Sequence, residues 1–415
     1  MFRVCGKRLS MIACLMMPSV SAAQSVRDSA AVEIVQNARA LLPAARAWRV
    51  DAAPLLRIGA GNPTTEGDAL YELYLTMGVV RLSDGRWAVG VQSTHTVRIY
   101  DARGRFVSSM GREGRGPGEF QQVMGVSTTR GDTLMVIDLD GMEWFTGSGQ
   151  FIRPGAGRGR GTARYVYPAA LMRDGSHAGF NLDDPRIPPA GRQLVRAPIL
   201  YLRDNGTRSD TLAVVAAYEQ VFDGRQRWGA SLVYGALGLL TGDGTHVLHG
   251  VPGEYTIDVY AVDGRRVRSI RRTHTPVPVT EAAKSAYRAH VSKSPGEGEG
   301  PLSPEMRARL ERALASAQFA DHFPAVASLL ADRTGNLWVQ RYDPLVALRT
   351  PGPVRVQTIA APTTWDVFDA RGRWLTTVRL PARFTPQEIG ADYVAGVARN
   401  DDDEESVLVL TLRKP

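Results

Sequence analysis

The chain has 415 residues, 50 Lys and Arg against 42 Asp and Glu, a formal charge of +8, and 44% hydrophobic residues. It is long and apolar enough to bury a core, which excludes a disordered polar chain. Only four of the basic residues are lysine. The densest basic stretch, RPGAGRGRGTAR from Arg153 to Arg164, has no interleaved aromatics to stack on bases, so no nucleic-acid partner is expected.

The first residues read MFRVCGKRLSMIACLMMPSVSAAQ. Arg3, Lys7 and Arg8 make a positive start, Leu9 to Met17 a short apolar run, and Ser21-Ala22-Ala23 a small-residue cleavage site before Gln24. This pattern predicts a signal peptide over residues 1–23, too short for a spanning helix. Export to the periplasm or the cell exterior follows. A lipoprotein anchored through Cys14 is disfavoured, because the apolar run before it is very short. Both cysteines, Cys5 and Cys14, fall within this leader, so the mature chain of about 390 residues has no disulfide and depends on an ordinary core. No second apolar run of spanning length occurs, so no integral membrane segment is expected. Residues 24–44 read as a lead segment before the main domain, 45–415.

From Gly78 to Gly111 the chain reads GVVRLSDGRWAVGVQSTHTVRIYDARGRFVSSMG. Four short β-rich runs are separated by turns at Asp84-Gly85, at STHT and around Gly104. Glycine supplies the positive φ that such hairpin turns need. Four antiparallel strands in about 35 residues is the size of one propeller blade. The unit recurs with first-turn glycines at Gly131, Gly175, Gly244 and Gly335, spaced 46, 44, 69 and 91 residues from one to the next; the irregularity implies insertions. The tail, with FTPQEIG, YVAGVAR and SVLVLTL, is a sixth unit lacking its fourth strand. The strand-like stretch from Trp48 to Gly59 belongs to no blade that follows it. These features predict an all-β fold: a six-bladed β-propeller with the N-terminal strand closing the last blade.

Between blades four and five the periodicity changes. TEAAKSAYRAHVSKS and SPEMRARLERALASAQF have helical spacing, with Thr280 and Ser303 as N-caps and Pro304 in the first turn. A two-helix insertion is expected within 279–325. Its second helix carries an apolar stripe, Met306, Leu310 and Leu314, suited to packing on the core or to covering a ligand.

GREGRGPGEF, Gly111 to Phe120, is a blade-to-blade crossover. It lacks the Gly-Lys-Ser/Thr ending and the following helix of a phosphate loop. With DTLMVID and GQFIR it resembles the NHL-type repeat of six-bladed propellers. It is more similar to a family of uncharacterised bacterial secreted six-bladed β-propeller proteins, as are GNLWV at Gly335 to Val339 and WDVFDARGRWL at Trp365 to Leu375. The resemblance covers roughly residues 45 to 412 and implies the fold. It implies no activity, since relatives in fold include lyases, lactonases and binding modules.

Ligands of propellers usually meet the face where the connections between second and third strands, and between blades, gather. The long insertions at 181–195, 273–325 and 341–363 all map to that face, which marks it as the working one. Candidate ligand contacts there are Arg341 and Tyr342, an arginine beside an aromatic suited to a carboxylated or sugar-like ligand, together with His95 and Arg112. Asp138, Asn181 and Asp343 occupy similar strand-end positions and form a candidate site for calcium or another divalent cation, although such residues commonly bond turn backbone. No His-Glu-x-x-His motif and no Gly-x-Ser-x-Gly elbow is present, and no catalytic residue is nominated. The expected function is therefore a monomeric, secreted binding module for a small molecule, glycan or protein. The alternatives are a metal-dependent lactonase- or lyase-like hydrolase and an NHL-like protein-interaction scaffold.

Overall fold

The computed structural model describes residues 24–29, 32–62, 64, 65, 67–139, 141–157, 166–182, 186–203, 208–293, 303–344 and 361–415. The expected leader with Cys14, the linker between the two helices and much of the Arg153–Arg164 stretch lie outside them.

The chain opens with a hairpin of β1 (Gln24–Ser29) and β2 (Val32–Asn37), followed by β3 (Arg49–Gly59). Blade one is β4 (Thr76–Arg81), β5 (Trp87–Val91), β6 (Thr96–Tyr100) and β7 (Phe106–Met110). Blade two is β8 (Val123–Thr128), β9 (Leu134–Asp138), β10 (Gly141–Phe145) and β11 (Phe151–Gly157). Blade three holds β12 (Ala170–Leu171), β13 (His177–Phe180), β14 (Gly191–Arg203), β15 (Arg208–Phe222) and a fifth, short strand β16 (Ala230–Ser231). Blade four is β17 (Leu239–Gly242), β18 (His246–Gly250), β19 (Thr256–Ala261) and β20 (Arg266–Arg272).

Helices α1 (Glu281–Lys293) and α2 (Pro304–Ala315) come next. Blade five is β21 (Val326–Ala331), β22 (Leu337–Arg341), β23 (Thr363–Phe368) and β24 (Trp374–Leu380). Blade six is β25 (Phe384–Ile389), β26 (Tyr393–Arg399) and β27 (Glu405–Arg413), completed by β3. The helices thus fall between the fourth and fifth blades counted from Thr76. When the sealed blade that holds β3 is counted first, the same gap lies between blades five and six.

The seal is antiparallel, running from Ser406 opposite Gly59 to Arg413 opposite Arg49. First strands β25, β4 and β8 touch in succession, as do β12, β17 and β21, and together they form the inner ring. The expected first-turn glycines all adopt positive φ, from 70° at Gly131 to 90° at Gly85. Trp87, Trp338, Trp365 and Trp374 are buried between blades, as expected. At the crossover, Phe120 is fully buried against Phe145, and a Cβ on Gly111 (φ 83°) would sit 2.2 Å from the Phe120 ring. Glycine is needed there because the ring occupies the side-chain position.

Two features differ from expectation. The lead segment is built into the ring, since β2 runs parallel to β20 on the outer edge of blade four. Buried Asn37 fixes it there: its side-chain amide donates to the carbonyls of Arg271 and Gly372 (3.2 and 3.0 Å) and its side-chain oxygen accepts from the Trp374 N–H (2.8 Å). Helix α2 buries none of its residues, and Met306 is 49% exposed. Its apolar stripe is therefore not core. Both N-caps form as expected, the Ser303 and Thr280 hydroxyls accepting the Met306 and Ala283 N–H groups.

Closure predicts a sharp contrast within β3. Ile58 is fully buried and Leu55 is 67% exposed. Ile58→Ala should cost about 3 kcal/mol in urea unfolding through the cavity it leaves, and Leu55→Ala about 0.5 kcal/mol or less. His177 in β13 is 1% exposed, and burial pushes its imidazole from 6.5 down to about 4. A depressed histidine contributes stability that is present above its unfolded value and lost as pH falls through 6.5 toward 4. Stability should drop by up to about 3 kcal/mol across that window. His177→Leu should flatten melting temperature against pH between 7 and 4; parallel profiles would refute the assignment.

Candidate functional site

The two ends of the inner ring differ in chemistry. Its six strands carry only two charged residues, Arg81 and Glu388, both near the end where first strands turn into second strands. There Arg333, from the turn after β21, donates through Nη2 to Glu388 Oε2 (2.7 Å), the Arg81 carbonyl (2.6 Å) and Thr128 Oγ1 (3.4 Å). Its backbone N–H bonds the Ile389 carbonyl at 2.9 Å. One side chain thus ties blades five, six, one and two across that end. Glu388 also accepts the Arg81 N–H and the Tyr393 hydroxyl. Burial pushes its carboxyl up, against the pull of Arg333.

The opposite face carries the elaborations. Beyond the part of β14 that pairs with β13 (Ile199 to Leu202), the β14–β15 hairpin continues outward as an overhang from Gly191 to Pro198 and Val214 to Phe222. Arg192 links this overhang to the exit from α2, binding Glu219 (3.1 Å) and Asp321 (2.8 Å). The segment before β17 joins them: the Val233 N–H donates to Gln318, and its carbonyl accepts from Ala320. Tyr234, Tyr287, Phe319, Phe323 and Tyr342 pack into one aromatic cluster beneath the helices. Overhang and helices form a continuous cap on the face that the insertions mark.

Arg341 and Tyr342 are absorbed into the framework. Tyr342 is 7% exposed and stacks on Phe323, with centroids 5.8 Å apart. Arg341 binds Asp366 through Nε and Nη2 (2.9 and 2.7 Å). The fully buried Asp366 also accepts the Tyr255 hydroxyl (2.5 Å) and the Thr377 hydroxyl (2.7 Å), with Arg272 Nε 3.5 Å away. Burial and the Asp366 charge push the Tyr255 phenol well above its ordinary range. Arg112 pairs with Glu119 of its own crossover (2.6 Å), and that carboxylate also holds the Gly116 N–H. His95 is half-buried with a left-handed backbone (φ 55°) closing the short turn before β6.

Asp138 is buried at the end of β9 and accepts the Gln122 N–H (2.7 Å), Asn181 follows β13, and Asp343 is exposed after β22. Among the described residues no group of three or more His, Cys, Asp or Glu is placed to hold a metal ion. No described helix is long and apolar enough to cross a membrane.

A cleft of about 650 Å³ runs along the overhang, bounded by the connection after β13 and by the loop after β15. Asn181 is the one sequence-nominated residue in its lining. Leu182, Ile187, Leu194, Val214 and Trp228 line it while 42 to 58% exposed. Arg186, Arg196 and Arg227 supply charge, and the Arg227 guanidinium lies over the Trp228 ring at 5.8 Å. The arginine-beside-aromatic pattern is therefore exposed at 227–228, whereas at 341–342 the arginine is half-buried in its Asp366 pair and the tyrosine is buried. The available signal was length: LAVVAAYEQVF continues a strand well beyond the usual blade strand.

The Asp366 cluster carries a stability prediction. Asp366→Ala removes the acceptor of the Arg341 guanidinium and of two hydroxyls, and the counter-charge of Arg272. It should cost about 3–5 kcal/mol in urea unfolding, and Asp366→Asn clearly less.

No family model matches the chain, and no curated protein matches it in sequence. Solved structures share its fold. A member of the DUF4221 family from Bacteroides vulgatus is 9% identical, with 89% of this chain and 99% of that one covered and a TM-score of 0.52. A protein from Bacteroides fragilis is 12% identical over 92% and 99%, with a TM-score of 0.48. A gluconolactonase from Xanthomonas campestris is 13% identical over 90% and 99%, with a TM-score of 0.39. At such identities the likeness is one of fold, and TM-scores below 0.5 carry no argument beyond it. The chain is a six-bladed propeller similar in fold to the DUF4221 member from Bacteroides vulgatus.

Proposed function

We propose that this chain is an exported binding propeller that takes its ligand or partner in the overhang cleft, without catalysis. One observation carries the reading: five large apolar side chains, Leu182, Ile187, Leu194, Val214 and Trp228, stand exposed around a single concavity on the insertion-bearing face. Scattered exposed apolar residues need no explanation, but a contiguous set rimmed by charge marks an interaction site. The arginine tie at the other end of the ring supports approach from this face. Export rests on the pattern of residues 1–23 and leads to the periplasm or the exterior.

An apolar sulfonate dye, anilinonaphthalene sulfonate, tests the cleft. It should bind the folded protein saturably, and Trp228→Ala or Leu194→Asp should weaken binding about tenfold while leaving the melting temperature unchanged. Calcium, zinc or manganese added after EDTA should not shift the melt, and lactone and ester substrates should not turn over. A saturable rise with one cation that Asp138→Ala or Asp343→Ala abolishes would overturn the non-catalytic reading.

A further inference from the structure

Beside the seam where the ring closes lies a second concavity. The chain leaving β3 (residues 59–74) and the turn into β27 (residues 402–405) enclose a cavity of about 450 Å³. Both connections belong to the insertion-bearing face, yet the cavity shares no residue with the overhang cleft. Its lining holds six carboxylates, Asp68, Glu72, Asp402, Asp403, Glu404 and Glu405, and no cationic side chain. The whole chain carries a formal charge of +8, so the cavity is a local reversal of sign.

Two of the six are neutralised within the fold, Asp403 by Arg383 and Glu405 by Arg399 (2.8 Å). Asp68 and Glu404 accept only from neutral donors, the Leu70 N–H (2.9 Å) and the Asn400 side-chain amide (2.7 Å). The Glu72 and Asp402 side chains are exposed and have no partner among the described residues. Four carboxylates without a cation around one cavity repel each other, and a cation bound among them relieves that repulsion. A metal ion does not suit them, because no three such groups among the described residues are placed to hold one. Charges spread around a cavity match a cation whose own charges are spread along a chain.

Two further observations point to an organic cation. Tyr74 stands 61% exposed in the lining, with half-buried Tyr71 nearby in the same wall. Aromatic faces attract ammonium groups. At the floor, Thr76 is 7% exposed, and its N–H donates to Glu405 Oε2 at 2.7 Å. Thr76 lies opposite Val91, which packs toward blade six with Val407 and Val409, so its side chain faces the Glu405 side. Its buried hydroxyl has no hydrogen-bond partner among the described residues. The wall itself is fixed in advance. Buried Arg98 donates through Nη1 to the Leu70 and Glu72 carbonyls (2.9 Å each), and the Tyr100 hydroxyl donates to the Leu70 carbonyl (2.7 Å). Order that precedes the ligand lowers the cost of binding it.

We propose that this cavity is a second ligand site, which takes a small aliphatic polyamine: two or more ammonium groups joined by methylene spacers. The ammonium groups pair with Glu72, Asp402 and their neighbours, and the spacers lie on Tyr74. The Thr76 hydroxyl offers a neutral acceptor beside Glu405.

The test uses the protein expressed from its full 415-residue sequence and five probes: spermidine, butylamine, octanediol, octanedioate and magnesium. Spermidine should bind saturably at low salt with a Kd of about 10–100 μM and raise the melting temperature. Raising sodium chloride from about 20 to about 200 mM should weaken it about tenfold. Butylamine should bind about tenfold more weakly, and octanediol and octanedioate should not bind. Glu72→Gln combined with Asp402→Asn should weaken spermidine about tenfold, and Tyr74→Ala about three- to fivefold. The free variants should melt no lower than the parent, since none of the three side chains has a partner to lose. Butylamine or octanediol equal to spermidine overturns the proposal, as does a magnesium response of the same size that the double variant abolishes. Spermidine binding that none of the substitutions weakens, or no saturable spermidine binding, overturns it too. The overhang cleft is read separately, by the dye.

Discussion

The antiparallel pairing of β3 with β27 is the constraint on which the rest depends. Without it the sixth blade has three strands, and a sheet edge is left exactly where the ring must close. With it, β3 and the last strand, β27, share a sheet, so unravelling either one breaks the circle. Ile58, Val407 and Val409 sit in one cluster with Val79, Trp87 and Val89 of blade one. The seal is therefore also part of the packing between the last blade and the first. Closure removes sheet edges that would otherwise pair with other chains.

A closed ring still needs its ends defined, and this chain defines them oppositely. At one end a single arginine reaches four blades and is held by a buried carboxylate. An uncompensated charge there would be costly, and the Glu388 carboxylate offsets it within a nearly uncharged inner ring. At the other end the chain adds mass: an overhanging hairpin, an aromatic cluster and two helices tied together by Arg192. Aromatic packing holds the cap, and none of the described residues is a cysteine. The asymmetry gives the two faces of the ring different chemistry.

The ring was legible because each blade repeats the same local physics. Hairpin turns need residues that tolerate positive φ, and Gly85, Gly131, Gly175, Gly244 and Gly335 announce them whatever the intervening insertions. The unassigned strand at Trp48–Gly59 and the missing fourth strand of the tail define each other's place. The site was less legible, because its residues take their roles from burial rather than from type. Arg341 beside Tyr342 has the composition of a ligand contact, yet Asp366, 25 residues away, claims the guanidinium and Phe323 covers the ring. Arg333 sits in an ordinary turn sequence, and nothing local shows that its partners come from three other blades. The apolar stripe of α2 fits a buried helix face, but α1 and the aromatic cluster already fill the space beneath the cap.

Blade three explains how the overhang arises. Its inner strand, β12, has two residues and its second, β13, has four, while β14 and β15 have 13 and 15. Strands of unequal length cannot pair along their whole extent, so the excess of β14 must leave the sheet on one side. A hairpin that only needed to complete the blade could have ended near Pro198. Continuing it requires ordering about 16 more residues, at roughly 1–2 kcal/mol each in backbone entropy. The Arg192 bridge to Asp321 and the β15–β16 pairing recover part of that cost, yet Leu194 and Val214 remain in water. Apolar side chains kept exposed on an ordered, costly extension have a physical rationale when something else comes to cover them.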